Sequence, residues 1–368
     1  MLLTVSHGGN IYRAGEEFGI PEDKIIDFSA NINPLGISKR VIKDIVHNLK
    51  YLPDYPDPDA KELRLEIARH HTISAESIIC GNGSTELIYL IVRALKPKNV
   101  LIPAPTFSEY ERACKSYGTR IIHYGLRREN NFDINTDEFI GVMNGDKNSE
   151  LTIPNSPLHT DMVFLCNPNN PTGRLIQKKD VMRIAHAAKA LKSYLVVDEA
   201  FIDFVSDASV IQEVEKNPYL IVIRSMTKFY ALAGLRLGYG IFPLKIIDLI
   251  KQYKEPWTVN TLAQKAGVAV LNDTAYKKQT LKLIKKEKQF LEKKFKQLGI
   301  NFVDSYANFY LLNLSNAESM YKELKKKGIL VRLCSDFKEL DKTYIRVAVK
   351  SRKYNILLMK ELSQWLKA

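Results

Sequence analysis

From about residue 60 to residue 250, short apolar runs alternate with longer segments of helical spacing. The runs at 78–80, 100–103, 120–124, 162–166, 194–198 and 219–224 are β-branched or apolar throughout, as strands buried on both faces are. Between them, 61–71, 87–95, 110–117, 179–191 and 245–253 place apolar residues at helical intervals. Strand and helix in turn predict an α/β fold with a mostly parallel central sheet and ligands at one edge. Before this region come helices at 11–18, stopped by Gly19 and Pro21, and at 41–49, with a short strand at 25–28 between them. Residues 51–59 read as a proline-rich extended connector with Tyr55 in its middle. Residues 130–155 are polar and weakly patterned, a helix and an exposed loop. Beyond 256 the pattern predicts a long helical stretch to Gly299. Strand, helix, strand and strand follow at 301–314, 321–327, 329–333 and 344–349, a smaller α+β lobe.

Composition narrows the class. The chain has 368 residues, 45% hydrophobic and 26% charged, which suits a globular protein of two domains or one large domain with a lobe. No run of about 18 apolar residues occurs, and MLLTVSHGGN lacks the basic and apolar regions of a signal peptide. Cys80, Cys114, Cys166 and Cys334 are far apart with no CxxC, which predicts a reduced, cytoplasmic chain with no cysteine metal site. The net charge of +13 leaves two readings, a nucleic-acid partner or a lysine-rich surface around an anionic small substrate. Much of the excess lies at 276–299, where Leu281, Ile284, Leu291, Phe295 and Leu298 fall near helical spacing with lysines between them. That is an amphipathic helix with a solvated face.

The chemistry concentrates where strands end. At 221–239 a β-branched strand leads to Ser225, Thr227 and one lysine, Lys228, with Arg236 eight residues on. Such a lysine suits an imine with a phosphorylated aldehyde, and the hydroxyls and the arginine suit its phosphate. Gly81-Asn82-Gly83-Ser84-Thr85-Glu86 forms a glycine-rich turn between strand and helix, where turn amides and the hydroxyls of Ser84 and Thr85 can meet a phosphate. It is neither a P-loop nor a dinucleotide GxGxxG, because GxxxxGK[ST] is absent and Glu86 takes the last glycine's place. Phe107, just past a strand, can stack on a flat ring. Asn167 to Gly173 places Asn170 at a strand end. Asp198 closes an apolar strand, where a carboxylate is costly without a partner such as a pyridinium nitrogen. Ser6 to Asn10, with His7 and Gly8, can approach an anion closely. Asn31 lies in an Asn-rich loop. Arg332 and Arg346 sit in apolar strands, where each is expensive unless it meets an anion.

Taken together, GNGSTE at 81–86, NPNNPTG at 167–173, DEAFIDF at 198–204 and SMTKFYALAGLRLGYG at 225–240 resemble the fold-type I pyridoxal-phosphate enzymes of the aminotransferase superfamily. The resemblance implies a pyridoxal 5'-phosphate cofactor with Lys228 as Schiff-base lysine, Asp198 on the pyridine nitrogen and Asn170 on the ring oxygen. Phe107 would stack on the ring, Ser84, Thr85, Ser225 and Arg236 would hold the phosphate, and Tyr55 would reach it from the neighbouring subunit of a homodimer. It also implies an N-terminal arm and part of a small domain at 1–48, a large cofactor domain at 49–256 and a small α+β domain at 257–368. The HGGN at 7–10, the DFSANINPLG at 27–36 and TKFYALAGLRLGY resemble the threonine-phosphate decarboxylases of cobalamin synthesis, with histidinol-phosphate aminotransferases close by. By that resemblance His7, Gly8, Asn10 and Arg332 would hold a substrate phosphate, and Asn31, Asn170 and Arg346 would meet the carboxylate region. The expected reaction is decarboxylation of L-threonine O-3-phosphate to (R)-1-amino-2-propanol O-2-phosphate and CO2. The alternatives are transamination of histidinol phosphate with 2-oxoglutarate and, from another class, a non-catalytic nucleic-acid-binding regulator. No helix-turn-helix extension supports the last, so no nucleic-acid or membrane partner and no metal are expected.

Overall fold

The computed structural model describes residues 7–145 and 160–367. Its helices and strands follow the alternation of the sequence. The first part holds α1 (Ile11–Phe18), β1 (Ile26–Asp27), α2 (Lys39–Asn48) and α3 (Lys61–His71). Then come β2 (Ile78–Asn82), α4 (Ser84–Leu95), β3 (Asn99–Ala104), α5 (Glu109–Ser116), β4 (Arg120–Gly125) and α6 (Thr136–Asn144). After the described gap come β5 (Met162–Cys166), α7 (Lys178–Ala190), β6 (Tyr194–Asp198), β7 (Leu220–Ser225), β8 (Leu237–Ile241) and α8 (Leu244–Gln252). The chain closes with α9 (Thr261–Leu271), α10 (Thr274–Gln297), β9 (Asn301–Phe302), β10 (Phe309–Asn313), α11 (Ala317–Lys326), β11 (Ile329–Leu330), β12 (Arg332–Leu333), β13 (Tyr344–Ala348) and α12 (Arg352–Trp365).

A seven-stranded sheet in the order β2-β8-β7-β6-β5-β3-β4 carries the site. Its strands are parallel except β8, which runs antiparallel to both neighbours. Successive residues feed opposite faces. In β5, Val163 and Leu165 join one apolar cluster, while Met162, Phe164 and Cys166 join the other; Val222 and Ile223 of β7 divide in the same way. Helices cover both faces, so the strands are apolar at every position rather than at every second one. A four-stranded antiparallel sheet, β12-β13-β10-β9, packs with α10, α11 and α12 around a third cluster that includes Leu291, Phe295, Tyr310, Val347 and Leu358. The N-terminal segment joins this part through β1, which pairs in parallel with β11.

Several elements differ from the pattern-based expectation. Strand β8 lay unread inside the Gly-Leu-Arg-Leu-Gly run, because its glycines mask the alternation of Leu237, Tyr239 and Ile241. The helical stretch before Gly299 is two helices. Asp273 breaks it, its side chain accepting from Tyr276 N at 3.0 Å as the N-cap of α10. Residues 301–314 form two strands around a turn. Residues 329–333 divide at Val331, because β11 pairs with β1 and β12 with β13. Helix α12 was not anticipated. The expected helix within 130–155 is α6; the expected loop after residue 145 lies outside the described residues up to residue 160, as does Ser6. Among the described residues no helix is long and apolar enough to cross a membrane, and no group of His, Cys, Asp and Glu side chains could hold a metal ion.

Candidate active site

The C-terminal ends of the parallel strands converge on one pocket. It is lined by Ser84, Thr85, Phe107, Cys166, Asn170, Asp198, Ala200, Phe201, Ser225, Thr227, Lys228 and Arg236. The reversed strand β8 explains how Arg236 arrives there. An antiparallel strand begins at the edge where its neighbours end, and Arg236 immediately precedes β8. Leu237 pairs with Asn82, so Arg236 sits beside the turn that opens α4. That helix begins at Ser84, three residues earlier than its apolar pattern suggested, which puts both Ser84 and Thr85 in the first turn, where backbone N–H groups lack helical partners. Two glycines make the cradle possible. A Cβ on Gly83 would lie 2.8 Å from Arg236 Nη2, and one on Gly238 would lie 2.4 Å from Ser84 N. Gly238→Ala is therefore expected to push α4 away from Arg236 and weaken cofactor retention by about tenfold or more. Equilibrium titration of the cofactor by absorbance checks this; unchanged affinity would separate the turn from phosphate binding.

Lys228 leaves the end of β7. Its Nζ donates to Thr227 Oγ1 at 2.7 Å, and Thr227 Oγ1 lies 2.7 Å from Ser225 Oγ. Burial, then the neighbouring Arg236 guanidinium, bring the ammonium down to about 8. The turn is held from below by the Asn-rich loop: Asn33 N donates to Lys228 O at 3.1 Å, and Asn33 Nδ2 donates to Phe229 O at 2.8 Å. Asn33 is thus a brace and not a ligand.

Asp198 is 2% exposed. Its Oδ2 accepts from Tyr110 OH at 2.7 Å and its Oδ1 from Ala200 N at 3.0 Å. Burial nevertheless pushes it up to about 6. Tyr110 was invisible as a site residue, since in sequence it is one more aromatic at a helix start. In the NPNNPTG turn, Asn167 and Asn169 are consumed in shaping the loop, by bonds to Ile176 and to Pro105, Thr106 and Thr172. Asn170 alone faces the pocket, its Oδ1 accepting from Arg346 Nη1.

Arg346 lies on β13, 6% exposed, with Nη2 donating to Ser29 O at 2.7 Å. Its Nε has no partner among the described residues, and burial lowers the guanidinium to about 10. Arg332 stands directly opposite it across the β12–β13 pair. Two like charges in register are destabilising, so this pair suits an anionic ligand. Arg332 already has one anion, Asp336, to which Nη2 donates at 2.8 Å to each carboxylate oxygen. It lines an open groove with His7, Gly8, Asn10 and Ser29. Gly8 fits because a Cβ there would lie 2.2 Å from Ser29 O. Asn10 has a structural task that the sequence reading left to a plain turn: its Oδ1 caps α1 by accepting from Arg13 N at 3.0 Å. Asn31 is buried, with Oδ1 unpartnered among the described residues. Tyr55 does not reach its own chain's pocket; it is 83% exposed, with its ring 5.1 Å from that of Trp257.

Comparison with known proteins places this geometry. The chain matches the family described as aminotransferase class I and II over residues 23–359. It is 36% identical to threonine-phosphate decarboxylase of Salmonella typhimurium, over 98% of this chain and 96% of that protein. It is 33% identical to histidinol-phosphate aminotransferase of Methanococcoides burtonii, over 97% and 94% of the two chains. The crystal structure of histidinol-phosphate aminotransferase from Clostridium acetobutylicum superposes with a TM-score of 0.84 at 32% identity, covering 92% of this chain and 98% of that one. The protein belongs to the class I and II aminotransferase family, with the fold-type I architecture and a pyridoxal 5'-phosphate cofactor. The pocket fits that group: it offers an amine of lowered pKa, a buried carboxylate lacking a cationic partner, a hydroxyl-lined helix start with an arginine, and the ring of Phe107.

Proposed function

We propose that the protein decarboxylates L-threonine O-3-phosphate, giving (R)-1-amino-2-propanol O-2-phosphate and CO2, as a step in cobalamin synthesis. The observation that carries this reading is the opposed pair Arg332 and Arg346 with the His7–Asn10 turn packed beside them. Together they offer one cation deep in the site and another in the groove, matching a substrate with a carboxylate at one end and a phosphate at the other. The relative of that name at 36% identity supports it.

In the proposed roles, Ser84, Thr85, Ser225 and Arg236 hold the cofactor phosphate, Phe107 covers the ring, and Asn170 donates to the ring oxygen through its free Nδ2. When bound, the cofactor supplies an electron sink for the pair left at the substrate Cα. Asp198 would give the ring nitrogen the anionic partner that keeps it protonated, itself steadied by Tyr110 and Ala200. Arg346, with Asn31 and Asn170 around it, would orient the carboxylate; His7, Gly8, Asn10 and Arg332 would receive the phosphate. The Cα–carboxylate bond breaks, CO2 leaves, and Lys228 Nζ delivers a proton to Cα, so atoms and charge balance. An amine held near 8 can carry that proton at neutral pH and give it up.

The same reading makes the protein a cytoplasmic homodimer with shared sites. Ile42, Val46 and Leu49 line one exposed face of α2 and the segment just after it, continuing to Leu52, Tyr55 and Trp257. Apolar side chains in such a row are the kind of surface a second copy covers, and Tyr55 would then reach the other subunit's pocket. A second reading, transamination of histidinol phosphate with 2-oxoglutarate, is supported by the 33% identical relative. Supplying the purified protein with each substrate separates them. CO2 from threonine phosphate without any oxo acid is expected; glutamate formed only with 2-oxoglutarate, and no CO2, would overturn the proposal.

A further inference from the structure

Glu109 is outside the pocket lining but ties two parts of the site together. It opens α5, two residues after Phe107. It is 6% exposed, and three side chains reach it. His7 Nε2 and Arg112 Nη1 each lie 2.8 Å from Oε1, and Tyr89 OH donates to Oε2 at 2.9 Å. Burial alone would push the carboxyl up; the donors His7, Tyr89 and Arg112 outweigh it and bring it down to about 2.

Arg112 on its own helix and Tyr89 would already satisfy this carboxylate as an ordinary local pair. His7 comes from 102 residues away and is still half-exposed in the groove. Its turn is fixed on the other side as well. Gly9 N donates to Ser29 Oγ at 2.7 Å, and Ser29 O accepts from Arg346. The turn therefore spans from the arginine proposed for the carboxylate to the helix that follows Phe107. An ionised carboxylate can only accept, so the nitrogen bound to Glu109 is the one carrying hydrogen. Nδ1 is left to the groove that His7 shares with Arg332.

We propose that Glu109 is a positioning residue for phosphate recognition: it fixes the His7 ring so that Nδ1 meets the phosphate monoester of the substrate opposite Arg332. With phosphate on one side and Glu109 on the other, the ring is held doubly protonated and donates to both. The inference rests on a phosphorylated substrate, which both readings of the reaction share.

The test uses the holoenzyme with E109A, E109Q, H7A and the E109A/H7A double variant. E109A is expected to raise KM for threonine phosphate about tenfold, the worth of a charge-assisted contact, with kcat within about twofold and kcat/KM for unphosphorylated threonine within about twofold. E109Q, which keeps an acceptor oxygen, should fall between wild type and E109A, and the double variant should be no worse than H7A. Equal losses with and without phosphate, or effects that multiply in the double variant, overturn the proposal. If wild type releases no CO2, the comparison is made with histidinol phosphate and histidinol. A phosphate-selective KM effect there upholds Glu109 while the decarboxylase reading falls, and its absence there overturns Glu109 as well. Should E109A not fold, 15N-histidine NMR of the wild-type holoenzyme decides, with His7 assigned through H7A. A protonated Nε2 and an Nδ1 signal that moves on adding inorganic phosphate uphold the assignment; an unmoved Nδ1 overturns it.

Discussion

Replacing Lys228 with alanine is expected to abolish turnover while leaving the fold in place. The side chain's amine makes one hydrogen bond, to Thr227 Oγ1, so its loss costs the folded state little, about 1 kcal/mol. The catalytic cost is of another order, because covalent attachment of the cofactor and proton delivery to Cα both fall to the same nitrogen. We expect kcat to drop by about 10^4 or more. Borohydride reduction followed by peptide mass mapping should find the cofactor on the Lys228 peptide of the wild type and on no peptide of the variant. A reducible adduct surviving in the variant, or turnover within tenfold of wild type, would remove Lys228 from its role. A lowered pKa alone would not have chosen it. Burial also brings Lys288 to about 8, yet that amine sits on α10, donating to Ser305 O and lying 5.4 Å from the centre of the Tyr310 ring, outside the pocket lining. Geometry separates the two lysines.

Much of this site was legible in the sequence because each piece lies at a strand end that the apolar pattern marks. Lys228, Asp198, Asn170, Phe107 and the Ser84–Thr85 turn come from five separate segments, and all five arrive at one pocket. What the pattern could not carry is the second partner of each residue. Nothing in one strand tells that Tyr110 lies 2.7 Å from Asp198, or that Asn33 rather than Asn31 braces the lysine turn. Likewise, the costs of Arg332 and Arg346 in apolar strands were readable one at a time, while their standing face to face appears only once β12 and β13 pair. Strand β8 was missed for a related reason. Gly238 and Gly240 give it no outward side chains to alternate, and Gly238 is needed where α4 comes within 2.4 Å of its missing Cβ.

Asp198→Asn is expected to split stability from function. In the cofactor-free protein Asp198 is raised from 3.8 to about 6, chiefly by burial. An acid whose folded pKa exceeds its unfolded one binds more protons when folded, so ionising it costs stability as pH rises. The cost is absent below about pH 4 and complete above about pH 6. A shift of about two units corresponds to something on the order of 3 kcal/mol. Asparagine carries no charge to desolvate, can still accept from Ala200 N, and can donate to the Tyr110 oxygen. The cofactor-free variant should therefore be more stable than cofactor-free wild type at pH 8, and the two should converge near pH 4. With cofactor the order should reverse in function: the amide cannot hold the ring nitrogen protonated, and kcat should fall by about 10^2 or more. Denaturant unfolding of both cofactor-free proteins at pH 4 and pH 8, beside turnover of the loaded enzymes, reads both effects. Equal stabilities at pH 8 would mean that the buried carboxylate is already compensated within the chain, by Tyr110 and the nearby Lys228, and that its match to a cationic ring is not what the site is built to supply.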